Sequence, residues 1–167
     1  LDGAPRAACM FHIILYQPAI PPNTGNVIRP CGNTGTPLHL IEPLGFSLDE
    51  KSVRRAGMDY AELAVVQRWA DLQSCLAEIR PGALYTLSSK SVTRYTDARF
   101  CPGDALLFGP ETRGLPPEVR DDVPESQRLT LPMVTGSRSL NLGNSVSVLL
   151  YEAWRQNGFD GARFSPD

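Results

Sequence analysis

Three stretches of this 167-residue chain concentrate residue types that bind or activate polar ligands. The first holds Asn23, Thr24, Gly25, Asn26 and Arg29. The second runs LFGPETRGLP (107–116), and the third SRSLNLGN (137–144). Together they offer backbone amides and carbonyls at glycines, neutral side-chain amides, and arginines. That set suits a ligand read by main-chain hydrogen bonds next to an anionic one. The plain alternative is structural, with Asn23 and Asn141 as helix caps and the glycines as turn formers. Three such loops in one chain favour function.

Other chemistries find little support. No GxGxxG follows the first strand-like run, which disfavours a dinucleotide site. GPETRG (109–114) has the glycine spacing of a phosphate loop, but Leu115 and Pro116 stand where Lys and Ser/Thr are needed. There is no GxSxG elbow. His12 and His39 sit in apolar runs and read as packing or hydrogen-bonding residues. Cys9, Cys31, Cys75 and Cys101 are far apart, without the close pairing of a structural zinc site, so no metal is expected. Scattered cysteines with no secretory signal fit a reducing, cytoplasmic location.

Strands and helices must hold those loops. Short β-rich runs fall at 12–16, 38–41, 62–66, 83–87, 105–108 and 128–131. Helical patterns fall between them, at 48–56, 71–80 and 116–121, and the last at 142–156. A first helix opens near Asn23 as N-cap, with Pro21 and Pro22 before it, and stops at Gly35. Six strands interleaved with helices predict an α/β fold with a mostly parallel sheet flanked by helices. In such sheets ligands bind beyond the carboxyl ends of the strands, where all three loops fall. The length fits about one domain. Met10 precedes the first strand, so residues 1–9 read as a leader or appended remnant, 10–160 as a single domain and 161–167 as a tail. No apolar run approaches about 18 residues, so no transmembrane helix is expected. The formal net charge is −2. That is not the bulk basic footprint of a nucleic-acid binder, and leaves only a local patch or one formed on assembly.

PPNTGNVIR (21–29), FGPETRGLP (108–116) and SRSLNLGNSVSVLLYEAW (137–154) resemble the three motifs of the SPOUT RNA methyltransferases. The nearest pattern is that of the minimal tRNA ribose 2′-O-methyltransferases acting on the wobble cytidine or modified uridine of leucine tRNAs. The likeness spans 10–158 and includes LIEPLGF (40–46) and RRAGMDY (54–60). It implies a C-terminal deep trefoil knot, which secondary-structure rules alone would exclude. It implies S-adenosyl-L-methionine in that knot, against Leu87, Gly109, Leu131 and Ser139, with S-adenosyl-L-homocysteine as product. It also implies a homodimer whose partner completes each site, joining Lys51, Arg54, Arg55, Arg113 and Arg138 into one basic groove for tRNA.

On that resemblance Arg29 is the central catalytic residue, either as base or as organiser. A guanidinium stays protonated in proteins, which favours the organiser role. Asn23 and Asn141 would support it, and Asn144 would contact RNA. Tyr151 faces substrate or packs in the core. Glu111 would orient an arginine or the cofactor, or pair with Arg113. Pro30 departs from the pattern and is tolerable within the first turn of a helix. Gly32 and Gly143 stand where alanine and serine are expected. The alternatives are 2′-O-methylation of rRNA or of another tRNA position, and a non-catalytic RNA-binding module.

Overall fold

The computed structural model describes residues 11–55, 57, 63 and 65–164. The expected leader at 1–9, the end of the tail, and most of RRAGMDY lie outside the described residues, as does part of the strand expected at 62–66.

A seven-stranded sheet carries the fold: β1 (Phe11–Tyr16), β2 (Leu38–Ile41), β3 (Val66–Trp69), β4 (Leu84–Leu87), β5 (Thr93–Arg94), β6 (Asp104–Phe108) and β7 (Arg128–Thr130). Every pairing is parallel, in the order β3-β2-β1-β6-β4-β7-β5. The central strands are apolar runs, as a sheet covered on both faces requires. Helices α1 (Pro21–Thr34), α2 (Glu50–Arg55), α3 (Leu72–Ile79), α4 (Pro117–Arg120) and α5 (Leu142–Gln156) complete it. On one face Phe11, Ile13 and Leu15 of β1 pack with Val27, Ile28 and Cys31 of α1 and with Val146, Leu149 and Leu150 of α5. On the other, Ile14, Ile41 and Leu107 meet Cys75, Leu72 and Leu76 of α3.

The expected strand at 62–66 is displaced: β3 begins at Val66. It lies at the sheet edge, and its exposed Gln67 and Arg68 break the apolar run that would mark it. β5 is too short for any periodicity to show.

The first helix also differs from expectation. Its N-cap is Ile20, with no side-chain cap, and Pro21 and Pro22 are its first residues. Prolines fit there because they lack the N–H groups that a helix start leaves unpaired. Pro30 lies well beyond the first turn, buried, and α1 continues through it to Thr34. Its missing N–H leaves the Asn26 carbonyl without the usual helical donor. Gly143 of α5 lies against the same segment. A Cβ at Gly143 would lie 2.8 Å from Asn26 Cβ and 3.3 Å from Asn26 O. Glycine there lets α5 pack closely on α1 at Asn26.

β7 follows β4 and β5 in sequence yet lies between them, with Leu129 level with both Leu87 and Thr93. The connection 88–92 therefore crosses over β7, and the Ser88 amide donates to Leu129 O at 3.0 Å beneath it.

Candidate active site

Loops at the carboxyl ends of four adjacent strands, β1, β6, β4 and β7, enclose a cleft of about 980 Å³. Three of them are the loops singled out in the sequence. The fourth, Ser88–Ser89–Lys90, was not among them: it is a short polar turn with no glycine signature. Leu87, Leu131 and Ser139 line this cleft, with Phe108 and Leu115. Asn23, Arg113 and Asn141 also reach it.

The loop's own geometry requires glycine at 109. An added Cβ would collide with the backbone of Gly114 and Leu115. The close approach is between the two ends of its own loop. Glu111 and Arg113 do not pair with each other. Glu111 Oε2 accepts from the Ala19 amide at 3.0 Å, and Arg113 donates to Gln17 Oε1 at 2.8 Å.

A second, polar groove of about 800 Å³ lies between α1 and α5. It brings together Arg29, Asn144 and Tyr151, with Asn26 and Ser147. Tyr151 is 40% exposed and stacks edge-on with Trp154, so it is not a core residue. Asn141 lines both hollows. Its Oδ1 accepts from the Gly143 amide at 2.8 Å, capping α5, and its Nδ2 donates to Asn23 Oδ1 at 3.1 Å. Capping and joining are thus one arrangement: both ends of the Asn141 amide are used, so its orientation is fixed. Arg54 and Arg55 are exposed in the last turn of α2, and Arg138 is exposed beside Ser139. None of the three lines either hollow.

The buried thiols take no part. Burial pushes Cys31 and Cys75 up to about 12, so both stay protonated near neutrality. The histidines form a chain on the α3 face. Trp69 Nε1 donates to His39 Nδ1 at 2.9 Å, and His39 Nε2 meets His12 Nδ1 at 3.0 Å. Indole N–H only donates, so His39 Nδ1 accepts and Nε2 carries the proton toward His12. Among the described residues no cluster of His, Cys, Asp and Glu could hold a metal ion, and no helix is long and apolar enough to cross a membrane.

The model of the SpoU rRNA methylase family matches residues 10–151. The chain belongs to the SpoU rRNA methylase family. The SPOUT architecture implied by the three motifs is therefore the fold of this molecule. Among family relatives, the tRNA (cytidine(34)-2′-O)-methyltransferase of Polaromonas sp. is 56% identical over 155 residues, covering 92% of this chain and 94% of that protein. The enzyme of the same name from Escherichia coli K12 is 51% identical over 153 residues, covering 92% and 98%. A solved structure concerned with the 2-OH methylation of C/U34 on tRNA superimposes with a TM-score of 0.79 at 44% identity, covering 89% of this chain and 91% of that one.

Proposed function

We propose that this SpoU-family chain is a tRNA ribose 2′-O-methyltransferase. It uses S-adenosyl-L-methionine, acts in the cytoplasm on the wobble cytidine or modified uridine, and selects leucine tRNAs. The observation that carries this reading is half or more identity, over nearly the whole of both chains, to relatives named for that reaction. The site geometry is consistent with it. The larger cleft has apolar side chains at Leu87, Phe108 and Leu131 for a flat base, beside the hydroxyls of Ser88 and Ser139. These residues, with the peptide groups of the loop that Gly109 closes, would hold the cofactor. The cofactor supplies a methyl already activated on sulfonium.

The chain's own task is then alignment, which supplies roughly 7–11 kcal/mol of barrier reduction. A ribose hydroxyl entering from the polar groove meets Arg29, Asn144 and Tyr151. Arg29 is a permanent donor and organises the hydroxyl or its neighbouring phosphate. The Asn23–Asn141 bond ties α1 to the start of α5, and so joins the wall of the cofactor cleft to the wall of the RNA groove.

The functional unit is a homodimer on this reading. Arg29 and Tyr151 line the polar groove from α1 and α5, and α5 also carries the exposed Val148. A second copy docked there would close the groove, and would gather Lys51, Arg54, Arg55 and Arg138, which a single copy leaves outside both hollows. The test is methyl transfer to total tRNA followed by mapping of the 2′-O-methyl nucleotide. Methylation at the wobble position of leucine tRNAs is the expected result. Methylation of rRNA, of another tRNA position, or of nothing would overturn the assignment.

A further inference from the structure

Two hydrogen bonds tie the loop after β1 to the loop after β6, and they avoid the obvious charge pairing. Glu111 and Arg113 share one turn, yet the Glu111 carboxylate holds the Ala19 amide and the Arg113 guanidinium holds the neutral oxygen of Gln17. Among the described residues Arg113 makes no ion pair. Gln17 makes its contact from φ 48°, a left-handed backbone that non-glycine residues adopt at a cost. Gln17 and Arg113 both line the larger cleft.

A guanidinium anchored by a carboxylate has its charge matched. One anchored by a neutral amide keeps its full charge, and keeps its remaining N–H donors for an incoming acceptor. We propose that Arg113, positioned by Gln17, reads an anionic two-oxygen group of the ligands in this cleft. This rests on the methyltransferase reading, which supplies two such groups: the carboxylate at the amino-acid end of the cofactor, and an RNA phosphate. Gln17 is a positioning residue, and its strained backbone is what aims the amide oxygen at Arg113.

Calorimetric titration of wild type, Arg113→Ala and Gln17→Glu tests this. The probes are S-adenosylhomocysteine, 5′-methylthioadenosine (the same nucleoside thioether without the amino-acid end), and tRNA at low and high salt. If Arg113 reads the carboxylate, Arg113→Ala weakens S-adenosylhomocysteine binding by about tenfold or more and leaves 5′-methylthioadenosine unchanged. If it reads a phosphate, both thioethers bind as in wild type, while tRNA binding weakens and its salt slope falls by about 1. Gln17→Glu keeps the guanidinium in place but neutralises it, so it shows the same selective loss with an undiminished melting temperature. Wild-type affinity of Arg113→Ala for all three probes would overturn the proposal. So would wild-type affinity in Gln17→Glu alongside a loss in Arg113→Ala. Wild-type protein that binds neither S-adenosylhomocysteine nor tRNA would sink the methyltransferase reading instead.

Discussion

Arg29 is exposed, on the polar groove and not in the larger cleft proposed to hold the cofactor. Its loss should therefore leave cofactor affinity nearly intact. Arg29→Ala is expected to lower single-turnover methyl transfer by roughly 10²–10³-fold, the usual cost of removing one donor to a developing oxyanion. Arg29→Lys keeps the charge but loses the planar fork, and should recover little. Full activity in Arg29→Ala would remove it from the site. Asp104 works at the opposite ends of the strands. It is only 3% exposed, and its two oxygens accept from the Ala83 and Cys101 amides at 2.9 and 2.8 Å. Asp104→Ala removes the acceptor of two part-buried hydrogen bonds and should cost about 1–3 kcal/mol in denaturant melts, with cofactor affinity unchanged in the protein that remains folded.

At the scale of elements, α1 and α5 each carry a glycine, Gly32 and Gly143, and the two have opposite demands. Gly32 is exposed, and an added Cβ meets nothing within 4 Å. Gly32→Ala should stabilise the chain by about 0.5–1 kcal/mol by limiting the unfolded backbone. Gly143 has Asn26 where its Cβ would be. Gly143→Ala should destabilise by about 1–3 kcal/mol as the helices are forced apart. It should also lower methyl transfer, since the same shift strains the Asn23–Asn141 bond between the two hollows. Equal melting temperatures for the two variants would contradict this account of the α1–α5 contact.

Across the whole molecule, the histidine chain links three strands to the pH of the medium. His39 is buried, and desolvation with the neighbouring His12 holds it down to about 4, from an ordinary 6.5. Burial lowers His12 too. The folded chain thus favours neutral rings, and the unfolded chain binds more protons between pH 6.5 and about 4. The stabilisation is complete above 6.5 and is lost as pH falls through that window, by at most about 1.4 kcal/mol per pH unit for one ring. Protonating His39 would also set an N–H against the Trp69 N–H. Denaturant melts from pH 7 to 4 should show this slope, and His39→Gln should flatten it. An unchanged slope in that variant would assign the acid sensitivity elsewhere. Assembly belongs to the same scale: sedimentation at micromolar protein should give a dimer, and a fully active monomer would contradict the groove closure proposed above.

Local chemistry made much of this legible. The apolar runs at 38–41 and 105–108, the pattern of α5 and the stop at Gly35 follow from burial, 3.6-residue periodicity and the left-handed preference of glycine, which act within a few residues. Motifs spaced far apart marked three of the four loops of the cleft. Tertiary structure alone decided the rest, because the deciding contacts join residues distant in sequence. The partition of the motif residues into two hollows sharing Asn141 depends on where α1 and α5 cross. The glycine at 109 is required by the return of its own loop, and the one at 143 by Asn26 on another helix. The position of β7 between β4 and β5 depends on a crossing that no local preference encodes. The pairing of Arg113 with Gln17, where proximity in sequence favoured Glu111, depends on two loops meeting at the ends of neighbouring strands.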